Sequence, residues 1–93
     1  MGKFRLKIEK LAELQLKKHI KSGNQAAIKK INIILEELQE TPFQGVGKPE
    51  ALKHELTGFW SREINSKDRI IYKVDRDIVM VYVFSAMGHY SDK

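Results

Sequence analysis

The hydrophobic positions change period along the chain. Phe4, Leu6 and Ile8 alternate with Arg5 and Lys7, the two-residue period of a half-buried strand, and predict a first strand at a sheet edge. From Glu9 the apolar residues fall at Leu11 and Leu14, then at Ala12, Leu16 and Ile20. These are helical spacings. Ser22-Gly23-Asn24 supplies residues that tolerate the left-handed conformation with which helices end. A second helix sets Ala27, Ile28, Ile31, Ile34, Leu35 and Leu38 on one stripe facing a core, with Lys29, Lys30, Glu36, Glu37 and Glu40 on the other side. Thr41-Pro42 stops it, because proline disfavours helical geometry in the residue before it and lacks an amide donor. Two helices joined by so short a turn form a hairpin.

Residues 42–50 hold two prolines and two glycines and read as an ordered loop. Three strands are predicted after it, at 59–64, 69–74 and 78–84, with connections of hairpin length rich in Asn, Ser and Asp. The last is a seven-residue apolar run. It is far short of the about 20 residues that span a bilayer, so it predicts a buried strand and no membrane association. A strand, a helical hairpin and an antiparallel β-meander make an α+β, two-layer architecture, a single domain over residues 1–93.

Size and composition narrow the function. A domain of 93 residues buries only about 60 to 65 percent of the surface its unfolded chain exposes, so stability is marginal. Cysteine is absent, which excludes disulfides and thiolate metal sites. Met1-Gly2-Lys3-Phe4-Arg5 leads into charged sequence rather than an apolar signal segment, and a cytoplasmic location is expected. The net charge is +5 and uneven: residues 1–46 carry nine Lys/Arg against five Asp/Glu, residues 47–93 eight against seven. A basic first half suits a polyanionic partner, nucleic acid or acidic protein, although a solvated lysine-rich helix accounts for it equally well.

The loop and the strands after it carry a more specific constellation. Gly47-Lys48-Pro49-Glu50-Ala51-Leu52-Lys53 is followed by Leu56-Thr57-Gly58-Phe59-Trp60-Ser61-Arg62, then by Asp68-Arg69-Ile70-Ile71-Tyr72, and finally by Gly88-His89-Tyr90. In this order the motifs resemble the YoeB/Txe toxin family of the RelE/ParE superfamily, closely over residues 41–90 and only in general pattern before that. The resemblance implies a RelE-like fold and the toxin of a type II toxin–antitoxin pair, a ribosome-dependent messenger-RNA endoribonuclease. Its chemistry is attack of a ribose 2′-hydroxyl on the adjacent phosphate, without a cofactor or metal. Carried over by motif, Glu50 is the general base, His89 the general acid, Arg69 the clamp on the phosphate, and Lys53 and Tyr90 supporting groups. The implied partners are a YefM-like antitoxin with a flexible acidic segment, the ribosome with its message, and a second copy in a homodimer. Family members often end near the His-Tyr pair, whereas Ser91-Asp92-Lys93 continues here and argues against a terminal carboxylate at Tyr90.

The residue types fit that chemistry independently. In-line attack needs a base on one side, an acid on the other, and cations for the charge gathering on phosphorus. A carboxylate serves as base, histidine titrates near neutrality, and the guanidinium fork matches two phosphate oxygens. Need for a 2′-hydroxyl confines the reaction to RNA. Each residue also has a plainer reading. Glu50 alone is an exposed carboxylate in the first turn of a short helix, Arg69 an edge-strand charge, and His89-Tyr90 a surface pair in which Tyr90 either stacks on a base or orients a phosphate. His19, among Lys17, Lys18 and Lys21, is expected to face solvent, and His54 to be a bystander. No two histidines have helical metal-ligand spacing. Trp60 packs in the core or stacks on a base. Two other functions remain open on the residues: a non-catalytic, ParE-like inhibitor of a topoisomerase, and a plain RNA- or ribosome-binding module.

Overall fold

A computed structural model describes residues 3–88. The element order is β1 (Arg5–Ile8), α1 (Lys10–Ser22), α2 (Gln25–Leu38), β2 (Glu50–Ala51), β3 (Phe59–Glu63), β4 (Arg69–Asp75) and β5 (Met80–Ser85), with a 3-10 turn at His54–Leu56 between β2 and β3. The strands form one sheet in the order β1-β5-β4-β3-β2. From β2 to β5 neighbours run antiparallel, the expected meander, while β1 closes the other edge by pairing parallel with β5, Leu6 opposite Val81 and Ile8 opposite Val83.

The helices form where the periodicity puts them, and their ends have physical causes. Gly23 takes the left-handed conformation at φ 75° and returns its amide to Ile20 O, closing α1. Asn24 then caps α2, its side chain accepting from the Ala27 amide at 3.1 Å. The α2 stripe is buried as read at Ala27, Ile31, Ile34 and Leu38, with Leu35 packed beside it. Of the apolar residues of α1, Ala12 and Leu16 turn inward, whereas Leu11 and Ile20 stay 55% and 66% exposed. The helix layer covers one face of the sheet, meeting Ile70, Tyr72, Val81 and Val83.

Two expectations about individual residues fail. His19 does not face solvent: it is 5% exposed, and its Nε2 lies 2.7 Å from Ala86 O. The seven-residue apolar run is not all strand, because Ile78 and Val79 belong to the turn before β5 and Ile78 is exposed. The Asp75 carboxylate accepts from the Asp77 and Ile78 amides. It forms a side-chain turn that competes with the ladder and overrides the β-propensity of Ile78 and Val79. Among the described residues no helix is long and apolar enough to cross a membrane.

Candidate active site

The motif residues of the central strands divide between the two faces of the sheet. Trp60, Arg62, Ile70 and Tyr72 point into the helix layer, and Trp60 packs against the core and the Phe43 ring, 5.0 Å between centroids. The alternate positions Phe59, Ser61, Glu63, Arg69, Ile71 and Lys73 lie on the opposite, open face. Directly opposed residues share a face, so Glu50, paired with Ser61, joins that open face, as does Arg69, paired with Glu63.

Glu50 therefore belongs to a two-residue edge strand, not to the first turn of a helix; it is exposed. Arg69 is half-buried, its guanidinium 3.9 Å from the Glu63 carboxylate, which lies 4.0 Å from Lys48 Nζ. Glu50 and Arg69 stand two strands apart and two residues out of register. At strand spacings of about 4.8 Å and a rise of about 3.3 Å per residue, their Cα atoms are about 12 Å apart. A carboxylate and a guanidinium thus stand on one face of the sheet. Lys53 is exposed where the chain leaves β2 for the 3-10 turn. His89 and Tyr90 lie outside the described residues. Gly88 is within them, and its carbonyl accepts from the Arg69 amide at 3.2 Å, so the residue before His89 is bonded to the Arg69 backbone.

What holds Glu50 on this face was missed in the sequence, where Arg62 counted only as part of a motif. Its guanidinium is fully buried and donates to Glu37 Oε1 at 2.6 Å, to the carbonyls of Thr41, Gln44 and Val46 at 2.9, 2.9 and 3.2 Å, and to Tyr72 Oη at 3.3 Å. Tyr72 in turn donates to Pro42 O at 2.6 Å. Burial pushes the Tyr72 phenol above its usual range, against the hydrogen bond and charge of Arg62, which pull it down. Arg62 thus gathers the loop that ends in Glu50 onto α2 and β3. Gly47 completes the attachment at φ 84°, its carbonyl accepting from the Glu63 amide at 2.6 Å; a Cβ there would lie 2.8 Å from Glu63 O. Opposite Glu50, the buried Ser61 hydroxyl has no hydrogen-bond partner among the described residues. No cluster of three His, Cys, Asp or Glu side chains suited to a metal occurs among the described residues.

This geometry can be set beside known proteins. The family model for the YoeB-like toxin of bacterial type II toxin-antitoxin system matches residues 10–90. The chain belongs to that family. Toxin YoeB of Escherichia coli is 50% identical over 54 residues, 58% of this chain and 64% of the relative, so the match spans less than two thirds of that protein. A YoeB/ParE toxin from Agrobacterium tumefaciens superposes with a TM-score of 0.83 at 29% identity, covering 94% of this chain and all of that one. YoeB of Staphylococcus aureus is similar both as a dimer, with a TM-score of 0.79 and 31% identity over 96% of this chain and 100% of that one, and in a heterotetrameric complex with YefM, at 0.75 and 32% over 94% and 98%.

Proposed function

We propose that this YoeB-like chain is the toxin of a type II toxin–antitoxin pair and cleaves messenger RNA on the ribosome. The observation that carries the reading is the placement of Glu50 and Arg69 on one open sheet face. Glu50 takes the proton from the ribose 2′-hydroxyl, whose oxygen bonds to the adjacent phosphorus. Arg69 and Lys53 offset the charge gathering on the phosphoryl oxygens. The bond to the downstream 5′-oxygen breaks as His89 protonates it, with Tyr90 in support, leaving a 2′,3′-cyclic phosphate and a 5′-hydroxyl. No metal takes part in this scheme.

Exposure of Glu50 supports ribosome dependence. Removal of water strengthens a carboxylate as a base for a hydroxyl. Here that desolvation comes from what covers the open face, the message held in the decoding site. The work belongs to the cytoplasm. The S. aureus relative solved with YefM supports a YefM-like antitoxin as partner, its flexible acidic segment drawn to a chain of charge +5. The S. aureus dimer supports self-association of the free toxin.

The test is a translation reaction on a defined message, with naked RNA and a Glu50→Ala/His89→Ala variant alongside. Cleavage should require ribosomes, leave the cyclic or 3′-phosphate and the 5′-hydroxyl, and fall by at least about 10²-fold in the variant, the lower range for loss of acid–base catalysis. No cleavage by folded, antitoxin-free protein rejects the nuclease reading in favour of inhibition by binding.

A further inference from the structure

The apolar residues of β5 are only half explained by the core. A sheet face left to water carries polar residues outward, alternating with apolar ones inward. Val81 and Val83 are fully buried in the core with the helices, yet Tyr82 and Phe84, which alternate with them onto the other face, are aromatic and half-buried. Tyr82 is opposed by Lys7 of β1 on one side and by Lys73 of β4 on the other, and Lys73 is opposed by Phe59 of β3. Opposed residues share a face. One residue from each of four adjacent strands therefore forms a row, in the order Lys7, Tyr82, Lys73, Phe59, on the face that bears Glu50 and Arg69. Cations and rings alternate along it. Both lysines are exposed, and the Lys73 ammonium lies over the Phe59 ring, 5.6 Å from its centroid. Phe84 backs the row, its ring 5.1 Å from that of Phe59 in a T-shaped contact and 6.5 Å from that of Tyr82. The carboxylate of Asp75, nearby on β4, is engaged by the amides of Asp77 and Ile78.

We infer that this row is a binding site for single-stranded RNA, on which bases stack against Tyr82 and Phe59 while Lys7 and Lys73 meet the phosphates; that the strand is the message rests on the nuclease reading above. Rings interleaved with cations suit an unpaired strand, because each base offers a π-face and each linkage a charge. Neighbouring strands stand about 4.8 Å apart, so the two rings rise from positions about 10 Å apart in a row about 14 Å long. Phe59 lies two residues along β3 from Ser61, the residue opposed to Glu50, which sets the Cα atoms of Phe59 and Glu50 about 8 Å apart. The row is thus continuous with the proposed site. That continuity favours RNA over an acidic peptide, which the ammonium groups would attract as well. Stacking is tolerant of base identity, so the row adds affinity with little sequence preference.

The probe is a short single-stranded RNA, 2′-O-methylated throughout so that it cannot be cut, with a duplex of the same sequence for comparison. Its affinity for the antitoxin-free protein is measured against salt concentration for the parent, Tyr82→Leu, Tyr82→Phe, Lys7→Gln and Lys73→Gln. Expected in Tyr82→Leu is a loss of at least about 5-fold, the lower end for one stacked base, with recovery in Tyr82→Phe and no such loss on the duplex, whose bases are stacked on one another. Each glutamine variant should reduce the slope of log affinity on log salt by about 0.7. Unchanged affinity in Tyr82→Leu, an equal loss on the duplex or unchanged slopes overturn the inference, and so does a parent that does not bind the strand. If Tyr82→Leu does not fold, the exposed lysines decide through their slopes. A Tyr82→Leu protein that keeps its RNA affinity but loses self-association or binding of an acidic peptide assigns the face to a protein contact and overturns the inference too. Because the probe cannot be cut, the two readings fail separately. A parent that binds through the row yet cuts nothing on ribosomes rejects the nuclease alone, and one that cuts while its variants hold the probe as tightly as it does rejects the row alone.

Discussion

Replacing Arg62 by leucine should cost a large share of the stability of the domain. The guanidinium is 0% exposed and touches five acceptors. Its removal takes the cation from the Glu37 carboxylate and leaves the Val46 amide as a donor at 3.0 Å, and breaking one side of a buried ion pair costs about 3 to 5 kcal/mol. The Glu37 side chain is 29% exposed, so water partly rescues it and pulls that figure toward its lower end. The carbonyls of Thr41, Gln44 and Val46 also lose charged donors, each such bond contributing about 1.5 to 3 kcal/mol. Those residues are exposed and can rehydrate if the loop lifts away. A net loss of about 3 to 5 kcal/mol follows, against a total of about 5 to 15 for a domain. At about 4 to 8 °C per kcal/mol the midpoint should fall by at least about 12 °C. Urea and thermal unfolding followed by circular dichroism measure it. Arg62→Lys should be intermediate, because an ammonium keeps the charge but not the fork. Adding Glu37→Leu to Arg62→Leu should return part of the loss, since neither charge is then stranded. An Arg62→Leu protein within about 1 kcal/mol of the parent would refute the reasoning, that figure being the ordinary effect of a point mutation.

Tyr72→Phe should lose about 1 kcal/mol at neutral pH, the contribution of the bond to Pro42 O. It should also flatten the alkaline limb of stability. With the folded phenol raised above its unfolded range, stability is fully present below pH about 10 and is lost as pH rises through the folded value, because the unfolded tyrosine ionises first. Urea midpoints from pH 8 to 11 check this, and an equally steep decline in Tyr72→Phe would count against it. Ser61→Ala should stabilise by about 1 kcal/mol, because the buried hydroxyl carries an uncompensated desolvation cost. A loss of stability would mean that the hydroxyl is satisfied. A gain accompanied by slower cleavage would identify Ser61 as a contributor to the Glu50 site.

Local repetition made much of the fold legible. A 3.6-residue stripe of apolar side chains has one way to avoid water, and so α2 and its buried positions follow from the sequence alone. The same holds for alternation in β1 and for Gly23 ending α1. What the sequence could not supply were pairings between distant segments. The parallel seat of β1 beside β5 leaves no mark in either strand, because the side-chain period is the same for any neighbour. Glu50-Ala51 is too short to show a period, and only the opposing Ser61 and Trp60 make it a strand. The partners of Arg62 lie up to 25 residues away and that of His19 lies 67 away. A charged or polar residue reads as exposed until the groups that satisfy it are found. Apolar burial is written in the period of the chain itself. Polar burial exists only where specific donors and acceptors meet, and here it was the tertiary structure that brought Arg62 to its loop and His19 to Ala86.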